Sequence, residues 1–217
     1  QDAARHYRIT IKLNPNDQKA HKALAYLYTQ SGKLESAIKH LKEVIRINPK
    51  DPEAYTKLAR IYDLQGNSSK AINIYESIIK TQPKDLDTLK QLAFAYENNH
   101  RKIDALRLYE KIILLDPSNS SLHRKLGKLY EESGKTNKSL SHYKILARLN
   151  PEDTNTHRKL GVLYASKDET QKSLRHYKII TKLDPNDVTA HRILANHYGK
   201  RGKYLKAAPH YRQLVRL

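Results

Sequence analysis

The sequence predicts an all-α chain built by repeating one helix-turn-helix unit, and three observations carry that expectation. Six prolines, Pro15, Pro49, Pro83, Pro117, Pro151 and Pro185, stand 34 residues apart without a slip. A fixed period of that length marks a stack of repeated supersecondary units. Within each period a leucine, a small residue and a tyrosine recur at i, i+1 and i+4, the spacing of one helical face. Between that face and the proline a glycine recurs, where one helix must end and the chain turn back.

The elements follow in order when each repeat is ended two residues after its proline. Full repeats then span 18–51, 52–85, 86–119, 120–153 and 154–187, and an incomplete one spans 188–217. Residues 1–17 read as the second helix of a preceding repeat, with Ala3 and Tyr7 on its apolar face. In the first helix, slot 7 of the repeat is Leu24, Leu58, Leu92, Leu126, Leu160 and Leu194, and slot 11 is Tyr28, Tyr62, Tyr96, Tyr130, Tyr164 and Tyr198. Slot 8 is always small: Ala25, Ala59, Ala93, Gly127, Gly161 and Ala195. Gly32, Gly66, Gly134 and Gly202 supply the left-handed conformation of the turn. His100 and Asp168 stand there in the other two repeats, with Asn98 or Asn99 expected to take the first of these turns. The second helix carries Ala or Ser at slot 20 and, from Tyr75 onward, Tyr at slot 24. Proline then stops it, having no N–H to donate and restricting the residue before it. Pro209 falls inside the last of these helices and is expected to cost up to ~3 kcal/mol away from the first turn.

This pattern closely resembles the tetratricopeptide repeat, over essentially the whole chain. The resemblance implies a right-handed superhelical α-solenoid, taken here as a single domain over residues 1–217. One departure is systematic: the family's tryptophan slot holds His21, Tyr55, Leu89, His123, His157 and His191, which predicts looser or partly polar packing. The runs His191-Arg192 and Ala207-Ala208-Pro209-His210-Tyr211 are similar to those of magnetosome-associated members of the family.

Composition narrows the function classes. Forty-one Lys and Arg against 22 Asp and Glu leave a net charge of +19, which favours acidic proteins, anionic membranes or nucleic acid as partners. Cysteine is absent, so disulfide and thiol chemistry are excluded, and a cytoplasmic protein is expected, peripheral to a membrane or organelle if charge directs it there. No run approaches the ~18 apolar residues of a membrane span. The sequons at Asn67, Asn119 and Asn137 matter only in a secreted chain. Gly134-Lys135-Thr136 imitates the end of a phosphate-binding loop, but Leu129 stands where that motif needs glycine. No nucleophile, base and orienting residue stand out from the repeating background, so neither an enzyme nor a cofactor is expected. Histidines recur at slot 4 and at slot 23 (His6, His40, His142, His176, His210), but residues sharing a slot in successive repeats stand roughly 10 Å apart. That distance argues against a shared metal and for packing with some pH sensitivity. Twelve of the 15 tyrosines occupy slots 11 and 24 and read as core.

The remaining signal is a basic ladder on the first helices. Slots 2, 5, 9 and 12 centre about 130° from the apolar stripe, and in the resembling family that second stripe lines a concave peptide groove. Here slot 5 gives Lys22, Lys90, Arg124, Arg158 and Arg192, slot 6 gives Lys57, Lys125 and Lys159, and slot 9 gives Arg60, Lys128 and Asn196. Asp63, Glu97, Glu131 and Glu132 neutralise part of it. The carboxylate clamp of the family's chaperone-binding members is matched only by Arg192 with Asn196. The expected function is a non-catalytic scaffold binding acidic or extended peptides in this groove. The rival readings are a cationic coat on an anionic membrane or organelle, and non-specific nucleic-acid binding; sequence-specific nucleic-acid recognition is not expected. The chain begins and stops inside repeats, which reads as an excerpt from a longer protein, and Leu214, Val215 and Leu217 are expected to drive weak homo-oligomerisation.

Overall fold

The computed structural model describes residues 2–217, and among them it holds thirteen α-helices and no strand. These are α1 (Asp2–Leu13), α2 (Gln18–Gln30), α3 (Leu34–Ile47), α4 (Pro52–Leu64), α5 (Ser68–Thr81), α6 (Leu86–Asn98), α7 (Lys102–Leu115), α8 (Ser120–Glu132), α9 (Thr136–Leu149), α10 (Thr154–Ala165), α11 (Thr170–Leu183), α12 (Val188–Lys200) and α13 (Tyr204–Arg216). They fall into two compact units, one running to Asp116 and the other spanning Pro117–Leu217. In the first unit α2 pairs with α3, α4 with α5 and α6 with α7; in the second α8 pairs with α9, α10 with α11 and α12 with α13. Within each unit every hairpin also packs on the next.

Local chemistry explains where the helices start and stop. Each first helix opens on an Asp or Asn whose side-chain oxygen accepts a backbone N–H of the first turn, as Asp17 does from Ala20 at 2.8 Å and Asp187 from Ala190 at 2.7 Å. Such a cap contributes about 1 kcal/mol. The same helices end on left-handed residues: Gly32, Gly66, Gly134 and Gly202 have φ of 66–73°, and His100 and Asp168 have φ of 58°. The turn expected at Asn98 or Asn99 therefore falls on His100 instead, since Asn98 still closes α6 and Asn99 has a φ of −94°. Position overrides residue preference here: the left-handed site lies four residues after the slot-11 tyrosine in every repeat. Pro209 sits well inside α13, beyond the first turn. The N–H it lacks would have bonded the Leu205 carbonyl, and Leu205 is exposed, so water can satisfy that oxygen.

Slots 7, 8, 11, 20 and 24 supply most of the core, with Tyr75 and Tyr130 the largest fully buried side chains. Tyr211 departs from the expectation for slot 24 and is exposed. Its hydroxyl lies 2.9 Å from where a Cβ on Gly199 would stand. Gly127 and Gly161 are needed for a different reason from the turn glycines. A Cβ on either would stand 2.9 Å from the Tyr143 ring or 2.8 Å from the Tyr177 ring.

The family's tryptophan slot is polar but not loose. His21, His123, His157 and His191 are all buried, and each meets the slot-23 histidine of its own repeat. In the clearest case His157 Nε2 lies 2.8 Å from the Pro151 carbonyl oxygen, which can only accept, so Nε2 carries the proton and donates it. The Nδ1 of His157 is then an acceptor, and His176 Nδ1, 3.0 Å away, must donate to it. The pairs His21–His40, His123–His142 and His191–His210 repeat this arrangement at 3.0, 2.9 and 3.0 Å, with Nε2 directed at Pro15, Pro117 and Pro185. Each slot-23 ring stacks on the slot-11 tyrosine, as His176 does on Tyr164 with an angle of 8° between the rings. The interlock joins the two helices of the hairpin to the proline that ends the preceding helix.

Candidate peptide-binding site

Three of the slot-5 ladder cations are tied down within the protein. Lys22 reaches Asp51 at 2.6 Å and Glu53 at 3.1 Å, Arg124 reaches Asp153 at 2.7 Å, and Arg158 pairs with Asp187. All three aspartates are the N-caps of the next first helix. These three slot-5 cations therefore clasp the cap of the following first helix, and the carboxylate serves both the helix N-terminus and the cation. Asp51 accepts a further bond from Gln18 at 2.7 Å. The Arg158 guanidinium, followed by the Ala190 N–H, holds the Asp187 carboxyl below its ordinary range against the effect of burial. For Asp153 burial pushes upward, but the Thr156 hydroxyl and Arg124 outweigh it and the net shift is down.

Slot 6 and slot 9 are paired more loosely. Lys57 reaches Glu53 at 2.8 Å, Lys159 reaches Glu131 at 2.9 Å, and the exposed Lys128 stands 3.8 Å from Glu132. Exposed pairs of this kind contribute about 0–1 kcal/mol, so a ligand carboxylate can replace the protein's own at little cost. Lys125 is half-buried and engaged within the protein. Arg60, Lys90 and Arg192 are exposed and make no ion pair among the described residues, and Asn196 is exposed beside the last of these.

Four ladder residues come together in the second unit. Arg124, Lys128, Arg158 and Lys159 line a cleft of about 470 Å³ with Tyr143, Asn155 and Val162, and no carboxylate is among its walls. In the first unit Lys57 and Arg60 line a smaller cleft of about 230 Å³, whereas Lys22 and Lys90 stand outside it. Tyrosine hydroxyls take up part of the slot-12 acids: Tyr109 bonds Glu97, and Tyr143 lies against Glu131. Burial raises the Asp63 carboxyl, and the adjacent Tyr75 hydroxyl offsets this only partly because the contact falls short of good hydrogen-bond geometry.

At the end of α13, Val215 and Leu217 are exposed and Leu214 is half-buried, so only the first two present apolar surface fully. Among the described residues no three His, Cys, Asp or Glu side chains converge as a metal site. None of the described helices is long and apolar enough to cross a membrane.

The sequence reading missed two features. One is the histidine interlock, signalled by co-occurrence: where slot 4 is Tyr55 or Leu89, slot 23 is Ile74 or Leu108, and elsewhere both are histidine. The other is the acidic partner of slot 5, visible as Asp17, Asp51, Asp85, Asp153 and Asp187 at slot 34.

Family models described as tetratricopeptide repeat match residues 1–61, 30–93 and 158–217. Among solved structures, a tetratricopeptide repeat protein from Parabacteroides merdae ATCC 43184 aligns with a TM-score of 0.62 at 19% identity, covering 91% of this chain and 78% of that one. YrrB, described as a TPR protein with an unusual peptide-binding site, aligns with a TM-score of 0.61 at 18% identity, covering 86% of this chain and 96% of its own. MamA from Desulfovibrio magneticus RS-1 aligns with a TM-score of 0.58 at 19% identity, covering 78% of this chain and 96% of its own. Identities this low speak to the fold alone. No curated protein matches the chain significantly.

Proposed function

Because the chain belongs to the tetratricopeptide repeat family, a fold class of protein–protein interaction scaffolds, we propose that it is a non-catalytic scaffold that holds acidic peptide segments on its first-helix faces. The observation that carries this reading is the cleft lined by Arg124, Lys128, Arg158 and Lys159 without a carboxylate. Arg124 and Arg158 are anchored by Asp153 and Asp187, which fixes their position. Lys128 and Lys159 hold their partners loosely enough to exchange them for a ligand carboxylate. Tyr143 and Val162 add apolar wall, which suits a peptide better than a free anion. The peptide-binding site named for YrrB supports the reading by analogy of fold.

The test removes the positive charge of the exchangeable cations and leaves the anchored ones alone. A variant with Lys128→Glu and Lys159→Gln is expected to bind a dye-labelled glutamate-rich peptide at least about tenfold more weakly, with unchanged helicity. Retained affinity would reduce the ladder to a set of internal ties.

A second reading follows from the +19 charge: a cationic scaffold on an anionic membrane or organelle, of the magnetosome type. It expects co-sedimentation with phosphatidylserine vesicles that the two substitutions barely alter, because charge over the whole surface would then drive binding. Nucleic acid bound through charge alone would be held without sequence preference and released steeply by salt. Weak self-association through Val215 and Leu217 completes the proposal; it strengthens from low to moderate salt as repulsion between basic surfaces is screened.

A further inference from the structure

The first unit carries a second kind of surface on its first-helix faces. Slot 9 there reads Tyr26 on α2, Arg60 on α4 and Phe94 on α6, an aromatic on each side of a cation. Tyr26 is 58% exposed and Phe94 53%, unusual for large apolar residues at matching positions of neighbouring helices. Leu64, one turn beyond Arg60 on α4, is 68% exposed. Two clefts flank this ridge. The one of about 230 Å³ is walled by Tyr26, Arg60, Ile61 and Leu64. The other, of about 410 Å³, is walled by Arg60, Asp63, Leu64, Gln91 and Phe94. Arg60 and Leu64 are common to both, so the clefts form two sockets separated by one ridge that ends in a guanidinium. Arg60 has no carboxylate partner among the described residues, whereas Lys22, Arg124 and Arg158 on the corresponding faces are clasped by caps.

We propose that this face recognises an extended peptide bearing two bulky apolar side chains with one carboxylate midway between them. The apolar side chains enter the sockets beside Tyr26 and Phe94, and the carboxylate meets Arg60 as a two-bond fork. First helices of neighbouring repeats lie roughly 10 Å apart and an extended chain advances about 3.3 Å per residue. The two sockets flank the Arg60 ridge, so they lie about one helix spacing apart. The carboxylate is therefore expected about two residues from each apolar anchor, which also keeps all three side chains on one face of the extended peptide. The ridge divides the surface into two separate sockets, which suits side chains spaced along an extended chain, whereas a helix about 10–12 Å across would be held off by the ridge. Exposed aromatics flanking an arginine are the residue types that dominate binding energy at interfaces. This inference rests on the first-helix faces being the recognition surface, as in the proposed function, but it concerns other residues and a different ligand chemistry.

The experiment measures fluorescence polarisation of two dye-labelled synthetic peptides against the full chain. One carries leucines about four residues apart with a glutamate midway, in a serine background; the other is rich in glutamate and lacks apolar residues. The leucine peptide should lose about tenfold or more in affinity with Tyr26→Ala plus Phe94→Ala, and comparably with Arg60→Gln. It should be indifferent to Lys128→Glu plus Lys159→Gln. All five positions are largely solvent-facing, and unchanged helicity and melting of each variant confirm that the fold survives. Failure of the leucine peptide to bind, unchanged affinity in the Tyr26, Phe94 and Arg60 variants, or equal binding after its leucines become serine would overturn the inference. Loss of the glutamate-rich peptide's binding in the Lys128 and Lys159 variant alone would still uphold the proposed function.

Discussion

Two repeats of the first unit and the repeats of the second hold the same helical hairpin together by different chemistry. In 52–85 and 86–116 the tryptophan slot is Tyr55 or Leu89 and slot 23 is Ile74 or Leu108, with Ala59 or Ala93 at slot 8. In the second unit that place is taken by a histidine pair bonded to a proline carbonyl, and in two of its repeats a glycine admits the tyrosine ring. The apolar version depends on surface area and shape, which pH does not alter. The polar version depends on a specific arrangement of protons, and it works only while at least one histidine of the pair is neutral. A second proton would place two N–H groups nose to nose at about 3 Å. The hairpin thus tolerates either interlock, and the polar one brings a sensitivity to acid that the apolar one lacks.

The comparison breaks most sharply if one histidine is removed. His157→Leu leaves the Pro151 carbonyl and the His176 Nδ1–H without partners, and is expected to destabilise the second unit by about 2–3 kcal/mol. Adding His176→Leu reproduces the Leu89 and Leu108 pair of the first unit, and most of that loss should return. Urea denaturation of the single and double variants measures both. If the double variant is no better than the single, the two interlocks are not interchangeable.

Acid should separate the units next. Burial, helped by the charge of His157, pushes His176 down to about 4, and burial lowers His40 and His210 in the same direction beside His21 and His191. A histidine depressed in the folded state takes its proton more readily when unfolded, so its contribution is complete above about 6.5 and lost as pH falls toward 4. The loss is on the order of 2 kcal/mol for the His157–His176 pair. Hydrogen exchange should show α10–α13 opening over that range, while α4–α7 keep their protection. Uniform loss over both regions would mean that a cause common to both, and not the histidine pairs, governs acid stability.

A smaller effect tests the glycines. Gly161→Ala drives a methyl group into the Tyr177 ring and should cost about 1–2 kcal/mol despite the better helix propensity of alanine. Ala59→Gly, at the same slot in the first unit, should cost about 1 kcal/mol through propensity alone. Opposite residues are thus preferred at one slot, and thermal melts of the two variants decide it. The smallest expected change is a gain: Asp168→Gly and His100→Gly relieve a left-handed residue in each unit and should stabilise by up to about 1 kcal/mol, read as a rise in melting temperature.

Much of the fold was legible because its signals are backbone signals. A proline that cannot donate, a left-handed turn and a helical spacing of leucine and tyrosine each act on the chain locally, so the all-α helical repeat could be read from one sequence. The left-handed turn at His100 was misread because residue preference was weighed above position. The candidate site was less legible, for a physical reason. Whether a cation is available depends on what lies within reach in space, and the partners of Lys22, Arg124 and Arg158 sit 29 residues away, on the next hairpin. Histidines were compared between repeats at one slot, whereas the contact that matters joins two slots of one repeat. Tyr26 and Phe94 stand at slot 9 of the groove stripe, but only their exposure shows that they and Leu64 present apolar surface there.

The clasp between a slot-5 cation and the following cap also bears on how such a chain can be edited. Donor and acceptor sit at slots 5 and 34 of one repeat, and the acceptor also caps the first helix of the next, so the tie recurs with the repeat and is not written into any single pair of partners. A block of 34 residues duplicated or excised whole, such as 154–187 in the second unit, would carry its own clasp of Arg158 with Asp187, and the aspartate left at the seam would cap whichever first helix follows. The seam would close with the same chemistry that it had before. The histidine interlock, built within one repeat and the proline just before it, would travel with the block. Length in this architecture can therefore change in whole steps without inventing a new junction, and a change of any other size would leave a cap and a cation facing nothing.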